Sequence, residues 1–171
     1  DLLGVWTVEL HFGFSRPSDL QSAEATFDPS SGYWELTVDT TTLPDGPASL
    51  VLVATDTSGR TTTTDLIPFS VDNRYPALTV VGPAPGAIVL DGELSIEGNA
   101  SDDGFILGTG DVRYDIDGTG WTSLPQNVSV PNRFAEVRGT TMMNDGEHTL
   151  TIRATDGARH VTETAIRFVV D

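Results

Sequence analysis

A self-repeat constrains this chain more than any other feature of its sequence. Thr41 to Asp56 aligns without a gap on Thr141 to Asp156, at an offset of 141 − 41 = 100, and Thr41, Asp45, Gly46, Leu50, Ala54, Thr55 and Asp56 all recur. After a one-residue deletion, Phe69-Ser70-Val71-Asp72 aligns on Phe168-Val169-Val170-Asp171. A period of this length is one small domain, so the 171 residues are read as two copies of one unit that end in the same strand and the same Asp. Asp72-Asn73-Arg74-Tyr75-Pro76 is polar and closed by a proline. It places the boundary near residue 73, giving units 1–73 and 74–171.

Apolar residues inside each unit recur at every second position, the pattern of a strand with one face buried. Trp6, Val8, Leu10 and Phe12 alternate in this way. So do Ala23, Ala25 and Phe27; Trp34, Leu36 and Val38; Leu50, Leu52 and Ala54; and Ile67, Phe69 and Val71. In the second unit the sets are Leu78 and Val80, Leu94 and Ile96, then Val112, Tyr114 and Ile116. Leu150, Ile152 and Ala154 follow, and Ile166, Phe168 and Val170 close the unit. Turn residues separate them at Asp28-Pro29-Ser30-Ser31-Gly32, Pro44-Asp45-Gly46, Ser58-Gly59, Asp117-Gly118 and Asn144-Asp145-Gly146. Short alternating strands at regular spacing predict an all-β fold of two tandem sandwiches. Trp6 and Trp34, at alternating strand positions, are expected in the cores.

Composition narrows the partners. Nine Arg against 25 Asp and Glu give 9 − 25 = −16, with no Lys and no Cys. Such a charge repels phosphate backbones and anionic headgroups and attracts cations, so nucleic acid is excluded as a partner. No run reaches the roughly 18 apolar residues of a membrane span, which predicts no direct membrane insertion. Without Cys there is no disulfide or thiolate chemistry, and stability must come from packing or ions. Acidic surfaces whose every cation is Arg resemble those of halophiles, where hydrated carboxylates hold proteins in solution; a GC-rich genome would produce the same bias.

These residues also carry a family resemblance. Leu43-Pro44-Asp45-Gly46 through Leu50 to Ala54-Thr55-Asp56-Thr57-Ser58-Gly59, with a strand ending Phe69-Ser70-Val71-Asp72, resembles the last strands of bacterial and archaeal immunoglobulin-like (Big-type) extracellular repeats. Tyr114-Asp115-Ile116-Asp117-Gly118 followed by Trp121 is similar to the central hairpin of those repeats. The resemblance implies a cell-surface array module, as in surface-layer glycoproteins and adhesins. Its neighbours would then be further repeats or copies of a larger surface protein. A carbohydrate-binding or spacer module of a secreted hydrolase is the alternative. Aligning Gly4-Val5-Trp6-Thr7-Val8 on Gly92-Glu93-Leu94-Ser95-Ile96 leaves the first unit with nothing to match residues 77–90, so it is expected to lack its opening strand. The reason would be either that the chain is a piece of a longer array or that a neighbouring subunit donates the strand.

Carboxylates are the concentrated chemistry. Sandwich topology would gather Asp102, Asp103 and Asp156 from the entrance loops of the second unit with Asp72 and Asn73 of the linker and Asp45 of the first unit's exit turn. A set of oxygen ligands like this suits Ca²⁺. The competing reading is that Asp45 and Asp156 close turns by bonding backbone amides and that Asp102-Asp103-Gly104 is a solvated loop. Asp115-Ile116-Asp117-Gly118 imitates the start of a calcium loop but reads better as a hairpin turn. Asn99-Ala100-Ser101 and Asn127-Val128-Ser129 are glycosylation acceptor triplets, expected in loops. Trp121, just past a hairpin tip, is the one aromatic placed to stack on a sugar. His11, His148 and His160 stand apart in sequence with no metal-type spacing, and neither a nucleophile elbow nor a phosphate loop occurs. No enzyme is expected.

Overall fold

The computed structural model describes residues 4–13, 21–90, 92–102, 111–125 and 132–171. These divide into two compact units, Asp1–Asn73 and Arg74–Asp171. Unit 1 contains β1 (Val5–Gly13), β2 (Gln21–Glu24), β3 (Thr26–Asp28), β4 (Tyr33–Glu35), a 3-10 turn at Thr40–Thr42, β5 (Gly46–Asp56), β6 (Thr61–Thr63) and β7 (Ile67–Val71). Unit 2 contains β8 (Ala77–Gly82), β9 (Ala87–Val89), β10 (Glu93–Ser101), β11 (Val112–Ile116), β12 (Thr122–Ser123), β13 (Arg133–Gly139), β14 (Gly146–Thr155) and β15 (Val161–Val170). The fold is all-β and immunoglobulin-like.

Unit 2 is a complete sandwich. One sheet runs β13-β10-β8 and the other β12-β11-β14-β15-β9, antiparallel except for the final pair. Period-2 alternation sends Leu94, Ile96 and Phe134 inward from the first sheet. Val112, Tyr114, Leu150, Ile152, Ala154 and Phe168 meet them from the second, and all are 3 % exposed or less. Gly98 makes that contact possible. A Cβ there would lie 2.2 Å from the Thr79 carbonyl oxygen and 2.6 Å from the Phe134 ring, so only glycine lets the ring cross β10. The hairpin expected at Asp117-Gly118 forms with positive φ at both residues (56° and 74°), as a tight two-residue turn demands.

Unit 1 repeats half of this plan. Its larger sheet runs β2-β1-β5-β6, with β7 also on β5, and β3-β4 form a separate hairpin. Gly46 to Asp56 and Gly146 to Thr155 are the same strand at the offset of 100. The last strand differs by one residue: Thr55 pairs with Thr61 as Thr155 pairs with Val161, but Gly46 pairs with Val71 where Gly146 pairs with Val170. The extra residue of unit 1 falls between β6 and β7 and splits one strand into two. Pro68 is tolerated in β7 because, among the described residues, that strand pairs only with β5.

Pairing corrects the alignment at the start of unit 1. Val8, Leu10 and Phe12 of β1 face Ala54, Leu52 and Leu50, just as Val112, Tyr114 and Ile116 of β11 face Ala154, Ile152 and Leu150. β1 therefore matches β11. Alignment on β10 fails because β10 lies in the opposite sheet, between β13 and β8. More than one opening strand is without a counterpart, since nothing among the described residues of unit 1 matches β8, β9 or β10.

Trp6 is corrected as well: it is 65 % exposed, not in the core. The pairing of β1 with β5 shifts between Val5 and Thr7, and one inserted residue sends a side chain to the opposite face. Trp34 is half-buried, and Phe27 is 47 % exposed because the alternating run breaks at Ala25 and passes to a different sheet. The core of unit 1 is consequently small, with Phe12, Leu43 and Val71 buried and Leu10, Val38, Leu50 and Phe69 packed partly against them.

Candidate functional site

The repeated Asp56 and Asp156 hold the turns at the ends of the equivalent strands β5 and β14. Asp56 accepts hydrogen bonds from the amides of Ser58 (2.8 Å) and Arg60 (2.9 Å) and from the Ser58 hydroxyl (2.6 Å). The Arg60 guanidinium donates to its other oxygen at 3.1 Å. The Ser58 hydroxyl first, then the Arg60 amide, hold this carboxyl below its usual value. Asp156 does the same work in unit 2, accepting from the His160 amide at 2.8 Å and facing His160 Nδ1 at 3.0 Å. In both turns the Asp amide donates to the residue four positions on. One short carboxylate thus substitutes for backbone acceptors that the turn cannot supply.

Asp45 and Asn73 meet inside unit 1. The Asp45 carboxylate accepts the Asn73 amide at 2.8 Å, while the Asn73 side-chain amide donates to the carbonyls of Thr40 (2.8 Å) and Leu43 (3.2 Å). This ties the strand leaving unit 1 to the 3-10 turn. Asp72 is half-buried directly after β7, and Asp102 is half-buried directly after β10. Asp103 lies outside the described residues, as does Asn127. Asn99 does not lie in a loop: it is exposed on β10, paired with Thr79 and Arg133 across the three-stranded sheet. Trp121 carries the Arg153 guanidinium 4.1 Å from its ring centroid, and Arg153 is in turn paired with Glu163, so that ring face is occupied by a cation.

A contact between Asp117 and His148 was not foreseen. His148 Nδ1 lies 2.6 Å from the Asp117 carboxylate and Nε2 lies 2.7 Å from the Asn144 carbonyl oxygen. Both partners can only accept, so the ring satisfies them together only when it carries both protons. Accordingly the Asp117 hydrogen bond, then the Asn144 carbonyl, raise the His148 pKa above its ordinary value. Burial pushes Asp117 upward, but hydrogen bonds from His148 and from the Thr149 amide (2.8 Å) with the His148 charge outweigh it, and its pKa is lowered. An imidazolium with both N–H groups committed has no lone pair for base catalysis; it braces the β11–β12 turn against β14. The signal for this pair lay in the register. Ile116 pairs with Leu150, and the hairpin turn that follows Ile116 delivers Asp117 to Thr149 and His148. Beside the pair is an open pocket of about 350 Å³, lined by Tyr114, Arg138, Met142, Met143 and Asn144 among others. Among the described residues the buried hydroxyls of Tyr114 and Thr140 have no hydrogen-bond partner.

No family model and no curated protein matches this sequence. Solved structures do match in fold. The fibronectin(III)-like modules of CbhA from Clostridium thermocellum superpose with a TM-score of 0.51 at 20 % identity, over all of this chain and 80 % of that one. A tetra-tandem repeat from the extending region of a large adhesion protein gives a TM-score of 0.46 at 19 % identity, over 96 % of this chain and 42 % of that one. At these identities the first likeness is one of fold, and the second is too low to carry an argument.

Proposed function

We propose that this chain is a non-catalytic structural module of an extracellular, cell-surface protein, in which repeated sandwiches space or present other parts of a larger chain. The observation that carries this reading is the use of equivalent residues in tandem: Asp56 and Asp156 lock the same turn one repeat apart. A fibronectin(III)-like fold supports the same reading. Asp56, Asp117, His148 and Asp156 are committed to holding turns. Exposure of Asn99 on a sheet face leaves its acceptor triplet open to a glycan in that compartment. Protease treatment of intact cells making the native protein tests the proposal. Peptides from residues 1–171 should be released before lysis, and their recovery only after lysis would overturn it.

A further inference from the structure

Among its described residues, unit 1 leaves only half covered the face that unit 2 buries. Val8, Leu10, Leu50, Leu52 and Ala54 are half-buried, while the residues in the same places of unit 2, Val112, Tyr114, Leu150, Ile152 and Ala154, are 0 to 3 % exposed. The difference is β10, which brings Leu94 and Ile96 down onto that face in unit 2 and has no match among the described residues of unit 1. In its place is an open groove of about 660 Å³, floored by Val8, Leu10, Leu50 and Leu52 and walled by Trp34 and Leu36. None of its described lining residues is ionisable, on a chain of net charge −16. Uncharged apolar concavities of this kind on acidic proteins mark places where another segment sits.

We propose that the groove seats a β-strand pair supplied by the stretch of the same polypeptide that leads into β1. Chain order in unit 2 argues for this source, because β8 and β10 come immediately before β11, the counterpart of β1. A donor in the same chain also pays only a loop-closure cost, which grows slowly with length, whereas a separate chain loses translational freedom. Unit 2 specifies the chemistry of the occupant. Apolar residues must alternate, as Leu94 and Ile96 do, and a glycine must follow at the position of Gly98. That glycine pairs with Phe134, and at the offset of 100 Trp34 stands where Phe134 does. A larger ring facing the donor makes the glycine at least as necessary in unit 1. Docking would add backbone pairing along β4, as β10 pairs with β13.

Hydrogen exchange on the 171-residue protein tests this, with a synthetic peptide of residues 92–102 as the probe. At ten times its dissociation constant the peptide should slow exchange about tenfold at residues 33–38 and 46–56 and leave unit 2 unaffected. Peptides carrying Ile96→Asp or Gly98→Val should have no effect. A second arm uses the native reading frame extended upstream by the length from Ala77 to Val112, 112 − 77 = 35 residues. The extension should become protected, the protein should stay monomeric and the peptide should no longer bind. No slowing by the peptide would refute the groove as a strand site. An unprotected extension, or protection that grows with protein concentration, would refute the same-chain source and make a second copy the donor.

Discussion

Gly98→Ala is the sharpest test of how unit 2 is packed. Gly98 sits inside β10 with neighbours on both sides, paired with Val80 and with Phe134, at an extended conformation that alanine can adopt. The new methyl has no room: its carbon would stand 2.2 Å from the Thr79 carbonyl oxygen, 2.6 Å from Phe134 Cζ and 3.1 Å from Phe134 Cε2. Neither neighbour is a flexible side-chain end. Thr79 is ladder backbone, and Phe134 is fully buried among Leu94, Ile96 and Ile152. Relief requires either that β8 move off β10 or that the ring leave its place. Overpacking of this kind costs about 1–3 kcal/mol, and a clash with backbone on one side and a buried ring on the other puts it toward the upper end. For a domain of this size each kcal/mol lowers Tm by roughly 4–8 °C, so the unit 2 transition should fall by on the order of 10–20 °C. Differential scanning calorimetry of the whole chain reads this directly, with Gly139→Ala as the control. At Gly139 the nearest atom to the added carbon is the Gly92 carbonyl oxygen at 3.9 Å, and a change within about 0.5 kcal/mol is expected. A Gly98→Ala protein that melts within 2 °C of the parent, ~0.5 kcal/mol on the same scale, would refute the argument.

Asp156→Ala should destabilise unit 2 by about 1–3 kcal/mol in chemical denaturation, because it strands the His160 amide, and Asp156→Asn should recover part of that loss. The Asp117–His148 brace predicts a pH dependence of definite sign. His148 is raised above its usual 6.5, so its contribution is complete below pH 6.5 and is lost as pH rises through the higher folded value. Asp117 is lowered below 3.8, so its share is complete above that pH and lost only in stronger acid. Melts from pH 5 to 8 should fall in the parent and flatten in His148→Gln; equal slopes would remove the brace. The bonds of Asp45 to the Asn73 amide and of Asp156 to the His160 amide predict that about 1 mM Ca²⁺, in the range of extracellular calcium modules, leaves Tm unchanged against a chelator control. A rise of several degrees would instead make calcium a ligand of these carboxylates.

Much of the architecture was legible in the residues themselves. Alternation is a local property of a strand with one buried face, so Leu150, Ile152 and Ala154 announce both the strand and its inward side. The turn aspartates were legible for the same reason, since Asp56 and Asp156 act on amides within four residues. What alternation does not encode is the neighbour. Val8, Leu10 and Phe12 read equally well as a match for β10 or for β11, and only pairing with β5 decides between two strands that lie in opposite sheets. Trp6 left the core through a single shifted pair, which no periodicity records. Asp117 and His148 are 31 residues apart and meet because a ladder aligns Ile116 with Leu150. The open groove of unit 1 is likewise invisible in a sequence whose Leu50 and Leu52 look like ordinary core. Whether an apolar face is covered depends on which other strand is present to cover it, and that is settled by long-range pairing and not by the residues of the face itself.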